Sequence, residues 1–372
     1  MKTFDQTHQE ELLSLLEKLC RIPAPSGQED ARVSHIQNWL FQECELDAII
    51  DEAKNVLVPI NCQDSKTITL LMAHTDTVFP DTTPMPVVRT DTRIASPGIG
   101  DDTACVAMLM LLLKYKKQDF LNSHKSFLFA FNSCEEGLGN LKGCRRIMKD
   151  YEGHITQVIS FDGGVAGICN HAVGSLRYEV CLRTKGGHSY NDFGSENAIH
   201  AMSCLICALY ELKVPSVGRN TYNVGTINGG TSVNTIAQSC SCLFEYRSDL
   251  RENLAFMDTF FHRTLDAFCQ SHPQVKLEWT LVGERPCTGD VDPDKQQALT
   301  DLALDSISGI SGSAPVVNSG STDCNIPLSL GIPAICFGGL MGDGVHTREE
   351  YVTISALMQE ARIIEDFLEN LI

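Results

Sequence analysis

Basic residues are scarce in this chain: 29 Lys and Arg stand against 47 Asp and Glu, a formal net charge of −18. A surface this acidic repels phosphate backbones and anionic headgroups, which disfavours nucleic acid and membranes as partners. Long apolar runs are missing as well. None approaches the ~18 residues needed to span a bilayer, and the opening MKTFDQTHQEELLSLLEKL is amphipathic and acidic, without the apolar core of a secretory signal. No GxGxxG or Walker sequence follows a strand-like run, so a nucleotide-binding reading lacks its phosphate loop. Repeats and low-complexity tracts are also absent. The 16 cysteines are spread over 372 residues, well below the ~8% density of a disulfide scaffold. Cys204 and Cys207, Cys240 and Cys242, and Cys336 have apolar neighbours, which predicts small buried thiols. The expectation is a reduced, soluble, cytoplasmic protein.

The composition is that of a globular enzyme, 43% hydrophobic and 20% charged. At ~150 residues per domain the length suggests about two domains. Leu12, Leu13, Leu15, Leu16 and Leu19 predict a helix over 7–19, ended by Pro23 and Pro25. Strand-like 67–74, helical 104–117, strand-like 125–133, a helix from Lys142 and strand-like 157–162 then alternate. That order predicts an α/β layer with a mainly parallel sheet. The pattern changes near residue 172, where an alternating strand, a helix, two strands, a helix and a strand follow one another. This β-α-β-β-α-β order is the ferredoxin-like unit. After Pro286 the α/β pattern resumes, with helices near 295–308 and 353–371 around the strand AICFGG. The expected organisation is therefore an α/β domain in two parts, 1–171 and 284–372, with an inserted α+β domain over 172–283.

The chemically suggestive residues fall where the predicted strands end, the place at which open α/β sheets present their ligands. His74 and Asp76 follow LLMA; on extended backbone they share a face, and a carboxylate so placed can orient a metal-bound imidazole. Asp101 and Asp102 stand in GIGDD before a helix, where acids also serve simply as caps. Glu135 and Glu136 in CEEG, Asp162 in FDGG and His346 in GVHT complete the set. Each alone is compatible with a solvated loop. Together they supply two imidazoles and several carboxylates, ligands suited to zinc and its neighbours, enough for two ions if one carboxylate is shared.

The succession HTD, GIGDD, CEEG, FDGG, GGHS and GVHT resembles the M20 family of di-zinc metallopeptidases, and the resemblance spans nearly the whole chain. It implies a zinc-peptidase-like α/β catalytic domain with an inserted lid and dimerisation domain, hence a homodimer, and two divalent ions, Zn with Co or Mn as alternatives. Residue by residue, it implies that His74, Asp101, Glu136, Asp162 and His346 bind metal, with Asp101 bridging. Asp76 would orient His74, Asp102 would be structural and Glu135 would be the general base. His188 in GGHS would polarise the scissile carbonyl, reaching the partner subunit's metals, and Asn234, Arg247 and Gly320 would hold a substrate carboxylate. Such a centre activates water as the nucleophile, with the glutamate carrying its proton to the leaving amine. Ser189 and Cys134 have no base-orienter pair and are expected to be loop or packing residues. Asp162 and FDGG are similar to the peptidase T-like branch, whereas Thr103 stands where that branch shows lysine. The expected activity is peptidase T-like exopeptidase action on small peptides, with N-acyl-amino-acid amidohydrolysis or a catalytically inactive binding member as alternatives.

Overall fold

The computed structural model describes residues 4, 8–165, 167–339 and 341–372. They form two compact units, one from residues 1–172 with 289–372 and one from residues 173–288. The second crossing falls at 288 rather than 283 because the last strand of the insert runs on to Arg285. The first helix, α1 (Gln9–Cys20), begins two residues after the predicted start, residue 7, which lies outside the described residues.

The larger unit is built on eight strands: β1 (Ile49–Ile50), β2 (Val56–Ile60), β3 (Ile68–His74), β4 (Ser126–Asn132), β5 (Ile155–Phe161), β6 (Ile168–Ala172), β11 (Val317–Gly320) and β12 (Ala334–Phe337). Strands β7 to β10 belong to the insert. The order across the sheet is β1-β2-β4-β3-β5-β12-β6-β11. The centre, β4-β3-β5-β12, is parallel throughout. Every residue of β3 and β4 is buried, as strands covered on both faces must be. Their side chains alternate between two cores. Phe127, Phe129, Phe131, Leu71 and Ala73 meet one layer, to which α1, α2 (Asp30–Cys44), α3 (Ala104–Asn122), α7 (Pro293–Ser311) and α9 (Ile354–Leu371) contribute. Leu128, Ala130, Leu70 and Met72 meet the other, with α4 (Lys142–Asp150) and α8 (Asn325–Ser329). Helix α3 is buried on every side from Ala104 to Leu113, which explains an apolar run without helical periodicity.

The inserted unit orders its strands β7 (Gly174–Arg183), β8 (Asn220–Gly229), β9 (Ser239–Ser248) and β10 (Lys276–Arg285) as β8-β9-β7-β10, antiparallel throughout. Helices α5 (Ala198–Leu209) and α6 (Arg251–Ser271) cover one face. Tyr178, Val180 and Leu182 with Cys240, Cys242, Phe244 and Tyr246 point into that core. A short ladder at Thr235–Ile236 pairs with Gly187–His188, ahead of β9, which starts at Ser239. One sequence expectation needs correction here. Cys204 is only half-buried and Cys207 is exposed, whereas Cys240, Cys242 and Cys336 are buried. Helix α5 turns Ala198, Ala201, Met202, Leu205 and Leu209 inward, and the 3.6-residue period carries the Cys204–Cys207 pair, a Cys-X-X-Cys spacing, toward the outside. Among the described residues no helix is long and apolar enough to cross a membrane.

Candidate metal centre

Strands β4, β3 and β5 are neighbours running the same way, so the segments after their C-termini converge. His74 is the last residue of β3 and lies in register beside Asn132 of β4. Three and four residues beyond Asn132 come Glu135 and Glu136, and Asp162 directly follows β5. The fourth segment is the turn Ile99–Thr103 that leads into α3 and carries Asp101 and Asp102, joined by a cis peptide bond.

These side chains are held at short range. His74 Nε2 lies 2.9 Å from Asp101 Oδ1, and His346 Nε2 lies 3.1 Å from Asp101 Oδ2 and 3.2 Å from Glu136 Oε1. Ligand atoms of His74, Asp101 and Asp162 fall within 4.8 Å of one another, as do those of Asp101, Glu136 and His346, and of His74, Glu135 and Glu136. Asp101 is common to the first two groups. All are buried except His346, which is half exposed.

Supporting contacts fix the loops. Asp76 accepts the main-chain N–H groups of Glu135 and Glu136 at 2.9 and 3.0 Å and the hydroxyl of Ser26 at 2.6 Å. His74 Nδ1 is nearer to the main-chain oxygen of Asp76, at 3.1 Å, than to its carboxylate, at 3.5 Å. Asp76 therefore binds the neighbouring glutamate loop as closely as it binds the imidazole. Asp102 accepts the N–H groups of His74 and Gly163. At Gly163 a Cβ would collide with the carbonyl of Gly100, so the FDGG loop approaches the turn as only glycine allows.

Electrostatics shows how much negative charge is crowded here. Burial drives the Asp162 carboxyl well above the usual carboxylate range, and Asp101 and Asp102 push it further. Hydrogen bonds to Asp101 and Glu136 lift His346 to about 10. Burial works against a charged His74, yet its bonds to Asp101 and Asp76 raise it well above the ordinary imidazole value. The crowded carboxylates favour positive charge at this place, and the donor set of imidazole and carboxylate fits divalent ions that would supply it. Cys134 does not offer a nucleophile: burial first, then the adjacent Glu29, lift its thiol to about 12, leaving little thiolate near neutral pH.

Several supporting residues were not singled out from the sequence. Glu350 accepts the N–H groups of Gly98, Gly100 and Asp101 at 2.8, 2.7 and 3.1 Å, holding the turn from below. Arg32 is buried and donates to the carbonyls of Thr75, Ile22 and Leu19 and to the Thr103 hydroxyl. Glu29 accepts the N–H groups of Gly27 and Cys134, and Asn132 donates to Asp323 at 2.6 Å. The one usable sequence signal was a charge on the apolar face of α2, where Arg32 interrupts Val33, Ile36 and Leu40.

The remaining predicted residues lie elsewhere. Gly320 ends β11, paired with Ala172 of β6. In the inserted unit, His188 and Asn234 are brought together on one ribbon, where Ser189 N–H donates to the Asn234 carbonyl at 3.0 Å. Arg247 sits on β9 and its guanidinium is engaged by Glu245 at 3.0 Å.

A family model described as Peptidase family M20/M25/M40 matches residues 70–370. Succinyl-diaminopimelate desuccinylase from Corynebacterium glutamicum is 23% identical over 367 residues, covering 96% of this chain and 95% of that protein. Among solved structures, aminopeptidase PepT from Bacillus cereus superposes with a TM-score of 0.72 at 18% identity, over 98% of both chains. The M20 family metallo-carboxypeptidase Sso-CP2 from Sulfolobus solfataricus does so at 0.75 and 16%, over 96% of this chain and 98% of that one. At these identities the structural likeness establishes the fold.

Proposed function

The chain belongs to peptidase family M20/M25/M40 and is a metallohydrolase, and from that premise we propose that it hydrolyses a terminal amide bond in small peptides with two divalent ions. Zinc is the first choice of metal, with cobalt or manganese as substitutes. The observation that carries this reading is Asp101, whose two oxygens lie 2.9 and 3.1 Å from the Nε2 atoms of His74 and His346. His74, Asp101 and Asp162 would hold one ion, and Asp101, Glu136 and His346 the other. When bound, such ions act as Lewis acids that acidify water and polarise the scissile carbonyl.

Glu135 takes the proton of the attacking water and hands it to the departing amine. Its loop is pinned by its main-chain N–H on Asp76, so the carboxylate need not search for its place. Asp76 positions His74. His188 donates a hydrogen bond to the carbonyl oxygen as charge develops there. Asn234, Arg247 and Gly320 hold the substrate carboxylate, Arg247 by a charge-assisted bond. The proposal includes a homodimer formed through the inserted unit, with His188 serving the neighbouring subunit's centre.

A second reading, an N-acyl-amino-acid amidohydrolase, is favoured by the near full-length match to a desuccinylase. Both are tested on one metal-loaded preparation, with di- and tripeptides set against N-acetyl and other N-acyl amino acids. Faster cleavage of free peptides supports the exopeptidase, and the reverse ranking supports the amidohydrolase. No cleavage of either class by protein holding two ions would sink both.

A further inference from the structure

His188 sits in the sequence Gly186-Gly187-His188-Ser189-Tyr190-Asn191-Asp192, and the structure folds this stretch back on the imidazole. The N–H groups of Tyr190 and Asn191 both donate to His188 Nδ1, at 3.2 and 3.4 Å. A ring nitrogen that accepts has its lone pair in use and carries no proton, so in neutral imidazole the proton resides on Nε2. The turn is closed by Asp192. Its carboxylate accepts the His188 N–H at 2.7 Å, and its own N–H donates to the His188 carbonyl at 2.9 Å. Gly187 is required alongside: its φ is 155°, and a Cβ there would lie 2.8 Å from that of Asp192.

We infer that Asp192 is a positioning residue that holds His188 as the Nε2–H tautomer, so that this histidine can only donate through its outward nitrogen. The inference rests on the reading of His188 as the group that meets the substrate carbonyl, and it makes that role more specific. Nε2 with its proton in place can neither ligate a metal nor accept a proton, so neutral His188 serves as an electrophilic donor. Four hydrogen bonds close around a single imidazole and its peptide unit in this polar, exposed loop.

Histidine tautomers are read directly by long-range ¹H–¹⁵N correlation spectra of the full, metal-loaded chain carrying ¹⁵N-histidine, recorded near pH ~8, above the ordinary imidazole range. The His188 signals are those lost in His188→Gln. Expected are an unprotonated Nδ1 and a protonated Nε2 in the native protein, and a mixture of tautomers in Asp192→Ala. Turnover in Asp192→Ala should fall roughly tenfold with little change in KM, because a donor misplaced by about 1 Å loses that much or more. Asp192→Asn keeps an oxygen that can accept the His188 N–H and should retain both the tautomer and most of the turnover. A protonated Nδ1 in the native protein overturns the inference outright, whatever the activity. Native tautomer and turnover in Asp192→Ala overturn the role of Asp192. Undiminished turnover in His188→Ala, which keeps no side-chain donor, instead removes the carbonyl-donor reading, while the native spectrum still decides the tautomer.

Discussion

Asp102 Oδ2 accepts the main-chain N–H of His74 at 3.0 Å, and its other oxygen accepts the N–H of Gly163 at 3.1 Å. One carboxylate therefore ties together the end of β3, the turn before α3 and the loop after β5. Asp102→Ala leaves two buried N–H groups without acceptors, at ~1–3 kcal/mol each. Unfolding free energy should fall by about 2–6 kcal/mol, and affinity for both ions should weaken together. Urea titration and metal-binding calorimetry measure the two effects; loss of one ion alone would contradict the tie.

Glu135 and Glu136 are adjacent, and the proposed mechanism gives them different tasks. Glu135→Gln should retain both ions and lose roughly 10²–10⁴ in turnover, because an amide cannot take the water proton. Glu136→Gln should lose occupancy at the site it shares with Asp101 and His346. Elemental analysis beside steady-state rates separates the pair, and identical behaviour of the two variants would refute the division.

Arg32 is a buried guanidinium whose hydrogen bonds go to carbonyls and a hydroxyl rather than to a carboxylate. It joins the Thr75 carbonyl to the Thr103 side chain. Arg32→Met should cost about 3 kcal/mol of stability, since it strands several buried acceptors. Arg32→Lys should recover only part, because one ammonium cannot replace a planar fork. Denaturant midpoints of the three proteins test the ranking.

Glu360 lies in the core on α9, and burial alone lifts its carboxyl to about 7. The folded value stands above the unfolded one, so the folded chain binds more protons between them. Its contribution is complete below the unfolded pKa of ~4.3 and is lost as pH rises through the folded value. Glu360→Gln should flatten stability against pH in that window and raise it above the window by roughly 3–4 kcal/mol. Thermal unfolding from acid to mildly alkaline pH checks the slope, and parallel curves would falsify the assignment.

Removing the ions with a chelator should abolish activity and lower the melting temperature, because the stabilisation a ligand gives is set by its concentration over Kd. Re-addition of zinc, cobalt or manganese should restore both. Full activity in metal-free protein would exclude the proposed centre.

The sequence made the strands that end at the centre legible because parallel, doubly covered strands such as Ile68–His74 and Ser126–Asn132 are continuous apolar runs. The acids and histidines following them could be singled out because polar residues so placed need a reason. What could not be read were partnerships across distance. Glu350 serves Gly100 from 250 positions away, and no local pattern marks a glutamate as the acceptor for a remote turn. The partners of Arg32 were hidden for the opposite reason: apart from the Thr103 hydroxyl they are main-chain carbonyls, which every residue has. The outward face of α5 was misread at Cys204 and Cys207 because apolar sequence neighbours do not lie on the same side of a helix.

Strands β7 and β10 lie side by side, with Ser175 opposite Arg285, so the chain enters and leaves the insert at one edge, like a cassette held by a single clip. In the larger sheet, meanwhile, β12 occupies the place between β5 and β6, and both of those are synthesised before the insert while β12 comes after it. The insert can thus collapse on the ribosome as a finished body while its host still has a gap in the middle of its sheet. The loop that follows β5, with Asp162, acquires its second neighbouring strand only when β12 arrives. The proposed centre should therefore be among the last parts of the molecule to be assembled, and a chain halted after the insert should carry a folded cassette beside an unfinished centre.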